Sequence, residues 1–127
     1  MNSTPSSSVP VVLHFRGGRT EHVYAPPQID PGRQTVAVTG DDGSAREVPF
    51  SELKAVFFLA DPDATSVPES PAGSTLAVEF QDGELIRGTA HYDPSASGFF
   101  LFPHDRRKND RVFVVNSAVV SIDVEKL

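Results

Sequence analysis

The chain carries one pattern twice, and that repetition constrains its fold more than any other feature. Residue 11 laid on residue 76 puts Leu13 on Val78, Phe15 on Phe80, Gly18 on Gly83 and Ala25 on Ala90. The offset of 65 slips by two in the next loop, where Ile29-Asp30-Pro31 falls on Tyr92-Asp93-Pro94. It returns to 65 at the end, with Phe50-Ser51 on Val115-Asn116 and Phe57 on Ile122. The matches fall on turns and strand centres, where a shared fold demands them. An internal repeat outranks other fold evidence, because whatever one half becomes the other must become too.

The elements within each copy read as short strands. In the first, VVLHF (11–15), HVYA (22–25), QTVAVTG (34–40), REVPF (46–50) and AVFFL (55–59) are strands by composition. Gly17-Gly18 and Asp41 to Ser44 supply turns that permit positive φ. Three prolines between Ala25 and Gly32 make a loop. SELK (51–54) reads as one helical turn capped by Ser51. The second copy repeats the order with TLAVEF, ELIRGTAHY, GFFLF, RVFVV and VVSIDV. The sequence therefore predicts an all-β protein of two tandem five-stranded small barrels arising from an internal duplication. Residues 1–9 are expected to form a disordered tail, 10–60 the first barrel, 61–74 a proline-rich linker and 75–127 the second. Barrels of about 50 residues are individually marginal, so the two are expected to pack together.

Charge and composition exclude several functions. The net charge is -6, and the chain on either side of residue 65 carries -3. Neither half is therefore expected to have a general electrostatic affinity for nucleic acid or anionic membrane. There is no cysteine, hence no disulfide framework or thiolate metal site. The N-terminus lacks a positive segment followed by an apolar one, and no apolar run approaches the roughly 20 residues of a membrane span. A cytoplasmic bacterial protein is expected.

The stretch FQDGELIRGTAHYDPSASGFFLF resembles the first motif of Sm-like proteins. Asp82-Gly83, Gly88, Asp93 and Leu101 take the motif's places, and RVFVVNSAVVSIDV resembles the second motif in outline. The resemblance implies a small SH3-like or Sm-like barrel, with Gly88 at the bend of its long second strand. The residues with which Sm proteins grip a base are absent: the first loop ends Ser97-Gly98 and the last turn reads Asn116-Ser117. RNA binding in the Sm manner is therefore disfavoured. The chain, particularly GFFLFP and RVFVVNSAV, also resembles an uncharacterised bacterial domain family found alone or attached to signalling and regulatory proteins. That resemblance implies no catalytic residue.

Candidates for chemistry are few. His14, His22, His91 and His104 are scattered, with no HxH or HxxxH pair, so no metal is expected. No nucleophile motif or phosphate-binding glycine loop appears, and neither a catalytic residue nor a cofactor is expected. The one cationic cluster is Arg106, Arg107, Lys108 and Arg111, which can clamp an anion or sit as a solvated hairpin tip. An arginine-rich start to a β-domain resembles PilZ domains, which bind cyclic dinucleotides. The Asp/Asn-x-Ser-x-x-Gly element that should follow has no counterpart at Asn116-Ser117.

The other feature is aromatic: Phe57, Phe58, Phe99, Phe100 and Phe102. Neighbours in a strand point to opposite faces, so one core cannot take both members of a Phe-Phe pair. The outward phenylalanines are expected to cover an interface, between the copies or between chains. The function expected is a non-enzymatic protein-interaction or regulatory module that recognises a protein partner through the Phe-rich face or an edge strand. A homo-oligomer is compatible with this. The alternative is a sensor of an anionic nucleotide using the loop at 105–111.

Overall fold

A computed structural model describes residues 8–26, 29–30, 32–59, 74–104 and 109–125. The strands are β1 (Val9–Phe15), β2 (Thr20–Ala25), β3 (Thr35–Thr39), β4 (Ala45–Pro49) and β5 (Leu53–Leu59), then β6 (Ser74–Phe80), β7 (Leu85–Ala90), β8 (Gly98–Pro103), β9 (Asn109–Val115) and β10 (Val119–Glu125). A 3₁₀ turn precedes each fifth strand, at Phe50–Glu52 and at Asn116–Ala118. All the strands join one antiparallel sheet in the order β10-β6-β7-β8-β9-β5-β1-β2-β3-β4. The protein is all-β, and this sheet is not closed.

Local structure recurs between the halves. Phe15 N–H donates to Arg19 O and Phe80 N–H to Glu84 O, and the hairpins turn on Gly18 (φ 95°) and Gly83 (φ 91°). A glycine at positive φ is what such three-residue hairpin loops require. Arg16 N–H donates to Glu52 O and Gln81 N–H to Ala118 O. Phe50 N–H donates to Gln34 O and Asn116 N–H to Ser97 O. Each fifth strand carries an irregularity at its start, at Lys54 in β5 and Val120 in β10. These pairs set the last offset at 66 rather than 65, so Ile122 corresponds to Val56 and not to Phe57.

Two hydrophobic cores form. The first gathers Leu13, Val23, Val36, Val48, Phe50 and Phe58, among others; the second gathers Leu76, Val78, Phe80, Ala90, Phe99 and Leu101, among others. Val48 of β4 and Phe58 of β5 share one core although four strand-to-strand steps separate them, so this half of the sheet curls over itself. Its sharpest break lies between β2 and β3, which pair only at Tyr24 and Thr39.

The junction differs from expectation. Instead of two closed barrels touching through side chains, β5 and β9 form a continuous ladder, with Val56 opposite Phe113 and Phe57 opposite Val112. The reason lies in the apolar runs without alternation. Both strands bury both faces, as central strands do. Leu53, Val56 and Phe58 enter the first core while Ala55 and Phe57 enter the second. From β9, Phe113 and Val115 enter the first core while Val112 and Val114 enter the second. Each core is thus completed by a strand of the other half.

Smaller expectations also shift. The strand β1 begins at Val9, inside the stretch assigned to the tail, and β6 takes Ser74 from the linker; residues 61–73 lie outside the described residues. The first 3₁₀ turn starts at Phe50 after Pro49, and Ser51 does not cap it. Gly88 is held by close approach: a Cβ there would overlap Phe102 O and lie 2.6 Å from Leu101 Cδ2.

Candidate interaction site

The structure distributes the predicted aromatic residues between the two cores. Phe57 and Phe99 are buried in the second core and Phe58 in the first. Phe100, half-buried, packs against the first core, edge-on to Phe113 at 5.2 Å and tilted against Phe58 at 5.7 Å. Phe102 is half-buried in β8. The outward phenylalanines, Phe57 and Phe100, therefore do not meet one another as expected: each packs into the core of the opposite half, and Phe57, Phe58 and Phe99 are buried.

The cationic cluster is only partly in view. Arg106, Arg107 and Lys108 lie outside the described residues. The Arg111 guanidinium lies over the Phe58 ring at 4.2 Å and near the Phe100 ring at 5.5 Å, a cation–π arrangement that binds it to the junction. His14 stacks on Phe57 with 4.1 Å between ring centroids. Among the described residues no three His, Asp or Glu side chains converge as metal ligands would. No helix there is long and apolar enough to cross a membrane.

Two polar features at the junction escaped the sequence reading. Lys54, only 7% exposed, sends its ammonium out of the first half to Asp82 at 2.8 Å and to Glu84, both in the β6–β7 turn. Its Nζ also stands 5.0 Å from the Phe80 ring centroid. Burial works to lower the lysine pKa, but the two carboxylates outweigh it and hold it above 10.5. The Asp82 carboxyl is held below 3.8 by the Lys54 hydrogen bond and then by the Glu84 backbone N–H. A lysine inside the apolar run LKAVFFL was the available signal, since a buried ammonium needs a partner.

Arg16 makes a second tie. Its Nε donates to Leu53 O at 3.0 Å, and its Nη2 donates to Phe50 O and to Ser117 Oγ in the other half. Beside it lies an open groove of about 610 Å³ between the two 3₁₀ turns. Gln34, Phe50, Tyr92, Ser97 and Asn116 help line it, and among the described residues none that line it is Asp, Glu, Lys, Arg or His. Asn116 Nδ2 donates to Asp93 O and Ala96 O, each at 2.9 Å, which fixes the 93–97 loop.

The remaining surface of interest is the pair of sheet ends. Among the described residues nothing pairs with the outer edge of β10 or of β4. Phe80 N–H turns to β7, so alternation turns Glu79 and Ala77 towards β10 and their partners Ser121 and Asp123 towards β6. The backbone groups of Ile122 and Val124 consequently face outward. Val120 and Val124 are 62% and 55% exposed, whereas their counterparts in β5, Lys54 and Phe58, are buried. β4 presents exposed Ala45, Arg46 and Glu47, with Arg46 bonded to Glu21.

The architecture defines an all-β protein with one antiparallel sheet, two cores and, among the described residues, two open edges. The chain belongs to a family of unknown function (DUF6982), whose model matches residues 7–126. Neither a curated protein nor a solved structure matches it.

Proposed function

We propose that this chain is a non-enzymatic protein-interaction module of a bacterial cell, serving a regulatory assembly from the cytoplasm. In this reading it is two fused small-barrel units of the Sm-like or SH3-like kind, descended from one duplicated ancestor. The recurring turn and strand hydrogen bonds, at offsets of 65 and then 66, support that descent. The partner adds an extended segment to the sheet, with main-chain hydrogen bonds giving affinity and alternate side chains giving selectivity. The observation that carries the proposal is the outer edge of β10, which has no partner among the described residues and carries two exposed valines where β5 is covered. With three of the phenylalanines inside the cores, the edge strand takes precedence over the aromatic face as the recognition surface.

Val124→Pro removes an outward N–H from β10 without breaking its ladder to β6. Immobilised wild-type chain should retain a protein from an extract of its own cells. The Arg106→Glu/Arg107→Glu double variant should retain it equally, and Val124→Pro should lose it. Retention of a nucleotide instead, lost on charge reversal and indifferent to Val124→Pro, would overturn the proposal in favour of an anion sensor.

A further inference from the structure

The sheet solves one joining problem inside the chain and leaves the same problem open at its ends. Internally, the fifth strand of the first half, β5, pairs with the fourth strand of the second, β9. Among the described residues the unpaired edges are β10, the fifth strand of the second half, and β4, the fourth strand of the first. We infer that the partner is a second copy of this chain, added head to tail, with β10 of one copy antiparallel to β4 of the next. This inference rests on the edge-strand reading above and names its occupant.

The internal ladder supplies the register. β5 and β10 correspond at an offset of 66, as do β4 and β9 through the 3₁₀ turns that follow them. Ala55 opposite Val114, Val56 opposite Phe113, Phe57 opposite Val112 and Phe58 opposite Arg111 are the internal pairs. Carried over, they set Ser121 opposite Val48, Ile122 opposite Glu47, Asp123 opposite Arg46 and Val124 opposite Ala45. Asp123 and Arg46 are both exposed and of opposite charge, and Arg46, bonded to Glu21 of its own chain, has further guanidinium donors for Asp123, so the register sets an attraction at the middle of the contact and none of these pairs sets like charges opposite each other. The outward backbone groups of Ile122 and Val124 gain partners, and Val124 lies against Ala45.

The new contact is more polar than the internal one. Asp123 stands where β5 has Phe57, and Glu47 where β9 has Phe113. Association is therefore reversible and sensitive to salt, unlike the permanent β5–β9 junction. Since the two edges differ, the contact is heterologous and each added copy presents a fresh edge.

Sedimentation velocity on the full chain, from micromolar to millimolar concentration, tests this. Wild-type mass should rise with concentration. Asp123→Arg places two cations opposite each other and should move the association to about tenfold higher concentration. Adding Arg46→Asp to that variant should restore it, a rescue that a merely unstable variant would not show. A wild-type chain that stays monomeric throughout, or one whose association ignores both charge reversals, overturns the inference. If the monomeric chain still captures another protein in a Val124→Pro-sensitive way, the second-copy inference falls and the edge reading stands. If capture is also insensitive to Val124→Pro, both fall.

Discussion

At the residue scale, Lys54 carries the clearest electrostatic consequence. Its ammonium is nearly sealed, and its charge is tolerated only because Asp82 and Glu84 reach it from the other half while remaining open to water. Removing both acceptors by Asp82→Ala/Glu84→Ala leaves a buried charged donor without partners and should cost about 1–3 kcal/mol. Lys54→Met should cost less, because the two freed carboxylates are already hydrated. The pH dependence follows from the directions of the shifts. Asp82 is depressed in the fold, so its contribution is present above the unfolded value of 3.8 and is lost as pH falls through the lower folded value. Lys54 is raised, so its contribution is present below 10.5 and is lost as pH climbs through the higher folded value. Asp42 and Asp93, held down by Ser44 and Ser95, add to the acid limb but not to the alkaline one. Thermal melts of wild type and Lys54→Met across pH should show the acid limb shallower in the variant and the alkaline limb above 10.5 flattened. Superimposable limbs would show that the clamp contributes nothing.

At the element scale, β5 and β9 decide the architecture, and the side chains they exchange should be the costliest to remove. Phe113 belongs to the second half in sequence and to the first core in space; Phe57 is its reciprocal. Phe113→Ala should destabilise by about 3–5 kcal/mol in urea unfolding, against less than about 2 kcal/mol for Phe102→Ala, whose ring is only half-buried. Equal costs would mean that β9 does not complete the first core. The same strands show what could be read in advance. Runs such as AVFFL and GFFLF, apolar without alternation, announce that both faces need cover, and glycines at hairpin positions announce the turns. The identity of the cover was not legible. Ladder pairing between strands some 50 residues apart depends on which edges remain free once local hairpins form, and no local period encodes that. The Lys54 clamp was hidden for a related reason, because its acceptors sit in a turn whose acids read equally well as turn formers. The Ser51 cap failed because Pro49, already extended at φ -66° and ψ 137°, starts the turn one residue earlier without a side-chain bond.

At the scale of the whole molecule, the shared β5–β9 ladder and the side chains each half lends to the other's core should make the halves one folding unit. The first half taken alone loses Phe113 and Val115 from its core and the support of Phe100. The second taken alone loses Ala55 and Phe57, with Val12 packed beside them. Each fragment would also expose a long apolar edge that now pairs, and units of about 50 residues have little stability to spare. Fragments 1–60 and 74–127 should therefore be unfolded or aggregated separately and should recover sheet structure by circular dichroism when refolded together. The chain offers a direct test of cooperativity, since it has no tryptophan and two tyrosines, Tyr24 in the first half and Tyr92 in the second. Single-tyrosine variants, Tyr92→Phe and Tyr24→Phe, then report on one half each through tyrosine fluorescence. If the junction couples the cores, urea midpoints from the two reporters should coincide, once corrected for the variants' own stabilities, and both should match the circular dichroism transition. Two separated midpoints would show barrels that fold independently and merely touch, and the β5–β9 ladder would then be an accessory contact rather than the spine of the fold.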